Sequence, residues 1–332
     1  MLEWPSALTR RGAGSRPLQS SPRLVAIANA RGKWRQWAVY PLLLLVAGVW
    51  GGSFVASRLV LAPETRETAL TPTLLAAVRF ALAAVLFTPI LLRQHRRVRP
   101  LRVADIPAFL VVGFFGVSLY FWLQYAGIQL TNAGLAAILV VGTIPLATTI
   151  VAAVALGEPL DGRRVAALAL GSAGVAVVAG QRGLQVSLQS GFLLGALCLI
   201  ANAFCFAIYS TLVRGLRDRY QPLTVTAGMT IAGAALLLLW SGLTDDWAAV
   251  LALSPRQWLA IAYLAVVCSV VAYILYNFAL TRLQAGKVAA WMYLEPPIAV
   301  FAGAAVLGEV VSAQTVLGGL VILLALILLQ RA

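Results

Sequence analysis

The sequence predicts an all-α integral membrane protein of ten transmembrane helices, arranged as two inverted five-helix repeats. Three observations carry that expectation. The 332 residues are 61% hydrophobic and only 11% charged, with a mean hydropathy of +0.91, whereas soluble domains carry about 25% charged residues. Ten apolar stretches are long enough to span a bilayer. Landmarks in stretches two to four recur in stretches seven to nine at offsets of 150 to 151 residues.

A helix rising about 1.5 Å per residue needs about 20 residues to cross a hydrocarbon core of about 30 Å. The spans then fall near 38–60, 73–92, 106–128, 133–156, 164–180, 191–213, 222–242, 258–280, 288–308 and 313–330. The fifth and tenth are the shortest, yet Leu168 to Val178 and Leu317 to Leu329 hold almost no polar residue. In lipid such a run satisfies its backbone within one segment only as a helix. Ahead of the spans, residues 1–37 are rich in Arg, Ser and Pro and nearly free of acid. They read as a disordered basic cytoplasmic tail, with a transit peptide or an upstream start codon as alternatives. The remainder divides into a first repeat over 38–180 and a second over 181–332, and leaves no comparable run for a soluble domain.

Basic residues set the orientation. With a cytoplasmic amino terminus, 20 Lys and Arg fall inside, and only Arg66, Arg182 and Arg256 fall outside. That bias predicts both termini in the cytoplasm. Arg93, Arg96, Arg97, Arg99 and Arg102 form the strongest single marker and read as a retention signal touching lipid headgroups. The net charge of +14 therefore speaks of the bilayer as partner and not of nucleic acid. Cys198, Cys205 and Cys268 all lie in apolar runs without metal or redox spacing and read as small core residues. No metal or cofactor is expected.

The repeat holds residue by residue. Pro72 heads the second span with Arg79 seven later, and Pro222 heads the seventh with Met229 seven later. Tyr125 precedes Pro145 by twenty positions, as Tyr276 precedes Pro296. Pro145 precedes Glu158 by thirteen, as Pro296 precedes Glu309, each Glu closing a Leu-Gly-Glu triplet. Spans one and six match only weakly. An odd number of spans per copy turns the second copy over, an arrangement by which many secondary transporters place a binding site at the midplane. Glu158 is then expected at the cytoplasmic surface and Glu309 at the opposite one, both as solvated caps or partners for loop arginines such as Arg163 or Arg164, without a transport role.

The segments "GTIPLATTIVAAVALGEPLDG" and "YLEPPIAVFAGAAVLGEVVS", with "GVWGGSFVASRLV" in the first span and "LLAAVRFALAAVLF" in the second, resemble the EamA-type repeats of the drug/metabolite transporter superfamily. The resemblance extends over residues 38–330. It implies a ten-helix carrier with cytoplasmic termini, a central cavity between two five-helix halves, and alternating access by rocking of those halves. It also implies export of amino acids or other metabolites, or exchange of solutes such as nucleotide sugars. The expected location is the cytoplasmic (inner) membrane of a bacterium. Whether the carrier is a monomer or a homodimer stays open at this level.

Charges within spans single out the candidate site, since each costs about 2.5–3.5 kcal/mol near a helix centre on insertion scales. Glu295 lies about eight residues, roughly 12 Å, into the ninth span. Pro296 and Pro297 follow and are expected to bend or break the helix there, freeing carbonyls for a polar pocket. Glu295 suits binding of a substrate amine or uptake of a proton whose movement drives export. Arg79, roughly 10 Å in from the outer end of the second span, suits either a structural pair with Glu295 or a hold on a substrate carboxylate. A solute with both charges, and so amino-acid-like, suits the combination. Trp50 beside Gly51 and Gly52, Asn202, Tyr276, Asn277 and Trp291, with Tyr273, fill out the candidate cavity, each also open to a packing role. Gln124 and Tyr125 read as interface anchors near the outer end of the third span. Gly113 and Gly116, Gly171 and Gly174, Ala299 and Gly303, and Gly318 and Gly319 read as helix-packing seams.

Other classes fit poorly. His95, the single histidine, sits in a basic loop, and no HExxH or Gly-x-Ser-x-Gly pattern occurs, which argues against an enzyme. No Gly-x4-Gly-Lys-Ser/Thr stretch occurs either, so active transport would draw on an ion or solute gradient. A passive channel or a non-transporting membrane subunit of an assembly is the alternative.

Overall fold

The computed structural model describes residues 39–62, 67–97, 100–156, 161–179, 191–283, 288 and 291–330, and no strand occurs among them. The amino-terminal tail and Glu158 lie outside the described residues. In chain order the helices are α1 (Val39–Leu61), α2 (Pro72–Arg97), α3 (Val103–Leu130), α4 (Ala133–Leu156) and α5 (Gly162–Ala179). They are followed by α6 (Phe192–Leu212), α7 (Pro222–Thr244), α8 (Pro255–Leu280), α9 (Met292–Leu307) and α10 (Ala313–Gln330). Pro72, Pro222 and Pro255 stand at the first positions of their helices, where the missing N–H would be unsatisfied anyway. Ser254 completes the start of α8 through a capping box with Gln257.

Among the described residues seven helices are long and apolar enough to cross a membrane, while Met292–Leu307 and Ala313–Ala325 are shorter apolar helices. Val85, Val154, Leu239 and Phe301 stand exposed on the outer surface. A soluble domain would bury such residues; here they match lipid tails. Inside, Tyr125, Phe80, Phe87 and Phe192 are fully buried in one apolar core that draws on both halves of the chain.

Packing follows the repeat, and crosses it. The first helix of each half lies against the third and fourth of the other: α1 against α8 and α9, α6 against α3 and α4. Second helices α2 and α7 pack together, as do α5 with α10 and α4 with α9. So α1 and α6, barely alike in sequence, are equivalent in the fold.

Hydrogen bonds at the two ends fix the helix directions. At one end Arg58 donates to the Ile128 and Gln129 carbonyls at 2.8 and 2.7 Å, Gln129 to Leu61 at 3.0 Å, and Gln257 to Thr68 at 2.7 Å. Thr71 meets Asp245 there, and Glu309 accepts from the amides of Ala133 and Gly134 at 2.8 and 3.1 Å. Gly195, early in α6, packs on Leu130 and Thr131 at the same end. At the opposite end Tyr220 donates to Asp105 at 2.6 Å, Arg219 pairs with Asp105, and the Arg102 amide donates to Tyr220 at 3.2 Å. Helices α1, α3, α7 and α9 therefore run toward the Glu309 end, and α2, α4, α6 and α8 run away from it.

Two departures from regular α-helix matter for the site. A π-helical stretch, with its hydrogen bonds slipped to i→i+5, occupies Phe114–Ser118 in α3 and Tyr263–Val271 in α8. These are the third helices of the two halves, and Ser118 and Ser269 lie 151 residues apart within them. The other departure lies at the expected break beside Pro296–Pro297. The helix present at Trp291 gives way to a 3₁₀ turn, Met292–Leu294, and the α-helix resumes at Glu295 with the prolines in its first turn. Neither proline has an N–H to offer the carbonyls of Met292 and Tyr293, so the regular ladder is interrupted there.

Candidate functional site

Glu295 sits where α9 begins against α1. A Cβ at Gly51 would lie 2.9 Å from the Glu295 carbonyl oxygen and 2.9 Å from the Ile298 side chain, so glycine is what lets the two backbones approach. The Glu295 side chain is buried, 8% exposed, and makes no hydrogen bond or ion pair with any described residue. Tyr120, Tyr273, Tyr276 and Cys268 lie within its electrostatic reach.

Trp50 forms the wall between α1 and α8. Its indole N–H donates to the Cys268 carbonyl at 3.0 Å. In an α-helix that carbonyl would be served by Ala272, but in the π-helical stretch the Ala272 N–H donates to Val267. The slip thus takes from that carbonyl its α-helical donor, and the indole donates to it. Tyr263 closes the same seam by donating to the Val49 carbonyl at 2.7 Å. The Trp50 ring stacks against Tyr273 and Tyr276 at centroid distances of 5.3 and 5.2 Å, contacts of a type worth about 0.5–1.5 kcal/mol each.

Arg79 is 3% exposed and held from several helices. Its Nε donates to Ser269 Oγ at 2.9 Å and its Nη1 to the Tyr125 hydroxyl at 2.6 Å. The guanidinium lies over the rings of Phe121 and Phe80, 4.5 and 5.0 Å from their centroids. It does not pair with Glu295; the salt bridge among the described residues is Arg219–Asp105. Tyr120, Tyr273 and Cys268 each lie within the electrostatic reach of both charges.

The other expected residues divide. Tyr276 and Trp50 join the site. Asn277 binds the Tyr273 carbonyl at 2.8 Å and Thr226 Oγ1 at 3.4 Å, tying α8 to α7. Asn202 is fully buried and donates to the Tyr120 carbonyl at 2.6 Å, which ties α6 to α3, while its Oδ1 has no hydrogen-bond partner among the described residues. Trp291 packs on Tyr40, 5.7 Å between ring centroids, in a cluster that also includes Tyr276. Gln124 and Tyr125, expected as interface anchors, are buried instead. Tyr125 is the main site residue that the sequence reading misplaced. Its spacing to Pro145, shared by Tyr276 and Pro296, was the signal that could have found it.

Glu309 is also corrected in part: its cap is not one of water or a loop arginine, but of the α4 amides in the other half. A groove of about 200 Å³, lined by residues including Ile138, Gly142, Tyr293, Pro296, Pro297 and Gly319, lies apart from these groups between α4, α9 and α10. It shares only the two prolines with the Glu295 surroundings.

The arrangement is a buried carboxyl and a buried guanidinium that do not pair with each other, both near tyrosines, with Trp50 beside Tyr273 and Tyr276. The model of the EamA-like transporter family matches residues 37–180 and 193–331. An uncharacterized transporter of Archaeoglobus fulgidus is 24% identical over 90% of this chain and 99% of its own length. A protein of Streptantibioticus cattleyicolor named as a probable terminal-alkyne amino-acid exporter is 28% identical over 89% of this chain and 93% of its own. A solved crystal structure, 20% identical, superposes on 86% of this chain and 98% of its own with a TM-score of 0.57, which shows a shared fold.

Proposed function

Because this chain belongs to the EamA-like transporter family, we propose that it is an alternating-access carrier that exports or exchanges a small, amino-acid-like metabolite. In this reading ten helices span the bilayer as two inverted quintets, both termini lie in the cytoplasm, and the solute crosses chemically unchanged. The observation that carries it is the unpartnered Glu295 carboxylate, buried at the start of α9 among Trp50, Tyr120, Tyr273 and Tyr276. A buried charge without a partner is costly unless something else is meant to neutralise it. A substrate ammonium or a proton does so, and either one exchanges as the halves change access.

The relative named as an amino-acid exporter favours the substrate class. The opposite charges of Arg79 and Glu295, which do not pair with each other, favour a solute with both signs.

Replacing Glu295 with Gln keeps the shape and removes the titratable group. In proteoliposomes the Glu295→Gln variant is expected to lose at least tenfold in efflux rate, the order expected for one lost charge-assisted contact, and to lose its dependence on pH. Efflux that keeps both its rate and its pH profile contradicts the role given to Glu295.

A further inference from the structure

Resting on the carrier reading above, we infer that Arg79 is the receptor for a carboxylate or similar oxyanion on the solute, and that Tyr125 and Ser269 are its positioning residues. The guanidinium is always charged and offers five N–H donors in a planar fork. Two of them are engaged, by Ser269 Oγ and the Tyr125 hydroxyl. The rest have no acceptor among the described residues, and no described acid pairs with the group. Phe121 and Phe80 hold its faces, so its plane is fixed before any solute arrives.

A tie between helices alone does not require this residue. Tyr125 in α3 and Ser269 in α8 could be bridged from α2 by a neutral side chain, without a charge that costs about 2.5–3.5 kcal/mol near a helix centre. A cation oriented on two hydroxyls and two rings, and left without an anion, fits a ligand that brings the anion and takes it away. The hydroxyls come from third helices of opposite halves. A shift between those halves would therefore turn or loosen the fork, which ties grip on the anion to the access state.

The neighbours that face Arg79 are neutral: Tyr125, Tyr273, Tyr263 and Cys268. Glu295 lies within electrostatic reach of Tyr120, Tyr273 and Tyr276. A solute that reaches both charged groups would place its anion at Arg79 and its cation at Glu295.

The test uses purified full-length protein and two probes: an equimolar mixture of the twenty amino acids, and the matching mixture of their amides, buffered so that the α-amino groups of both stay protonated. Thermal unfolding is followed against concentration. The wild-type protein is expected to be stabilised by the acids at concentrations roughly 10- to 100-fold lower than by the amides, the range for one hydrogen-bonded charge contact. Arg79→Gln is expected to erase that preference and keep the response to amides. Arg79→Lys, with charge but no fork, should restore part of it. Tyr125→Phe should weaken the response to acids severalfold and leave the response to amides unchanged; it carries the test if Arg79→Gln does not fold. Amides as effective as acids on the wild-type protein, a preference that survives in Arg79→Gln, or one undiminished in Tyr125→Phe overturns the assignment alone. A wild-type protein indifferent to both mixtures overturns the amino-acid-like reading and this assignment with it.

Discussion

Glu295 and Arg79 illustrate what single residues did and did not disclose. Counting along an apolar run was enough to find both charges, because depth in a bilayer is set by rise per residue alone. Their relation to each other was not legible. Whether an arginine meets an acid or two hydroxyls depends on how neighbouring helices are turned, and Tyr125 and Ser269 come from different helices distant in sequence. The same limit applied to Glu309. Its place at a helix end was readable, but not that Gly308, at φ +64°, turns the chain so that Glu309 reaches the amides of α4. A carboxylate on a helix N-terminus stabilises through both charge and hydrogen bonds. Glu309→Gln is accordingly expected to lower stability by about 1 kcal/mol and Glu309→Ala by about 1–2 kcal/mol, seen as a reduced unfolding temperature in detergent. An unchanged transition in both variants would show that the cap contributes nothing.

Helices themselves were largely readable, since hydropathy over a bilayer-length window decides them. Span boundaries fell within about five residues of the helix ends throughout, and the tenth span, 313–330, matched α10 at both ends. The internal geometry was not. The π-helical stretches in α3 and α8 arise where a ladder slips by one residue, and a local sequence pattern carries little trace of a slip whose freed carbonyl is satisfied from another helix. Pro296 and Pro297 disclosed where the ninth helix is interrupted, but not the form of the interruption, a 3₁₀ turn from which the α-helix resumes. The slipped ladder in α8 gives a direct prediction. Trp50→Phe retains a ring but leaves the Cys268 carbonyl without the indole N–H. It is expected to cost about 1–2 kcal/mol of stability, the penalty of an unsatisfied buried acceptor, whereas a loss close to zero would mean that the carbonyl finds another donor.

At the scale of the whole molecule, the duplicated landmarks foretold a two-fold relation between halves, and the packing obeys it. The weak match of spans one and six concealed that α1 and α6 hold equivalent places, each laid against the third and fourth helices of the other half. Equivalent helices there share a position and not a set of side chains: Trp50 of α1 and Asn202 of α6 both donate to a backbone carbonyl in the opposite half, one through an indole and one through an amide. In the carrier reading proposed above, the interleaving places Tyr125 and Ser269, the two hydroxyls on Arg79, in the different groups α6–α3–α4 and α1–α8–α9. The Asp105 contacts with Arg219 and Tyr220 at one end, and the Glu309 contacts at the other, both join opposite halves. A pore needs no such exchange of contacts, while a carrier must break one set to expose the site on either side. Counterflow in proteoliposomes loaded with the twenty-amino-acid mixture tests this most directly. The carrier account predicts that labelled solute entry saturates with concentration and is accelerated by unlabelled solute on the far side; entry that rises linearly and ignores the far side would contradict it.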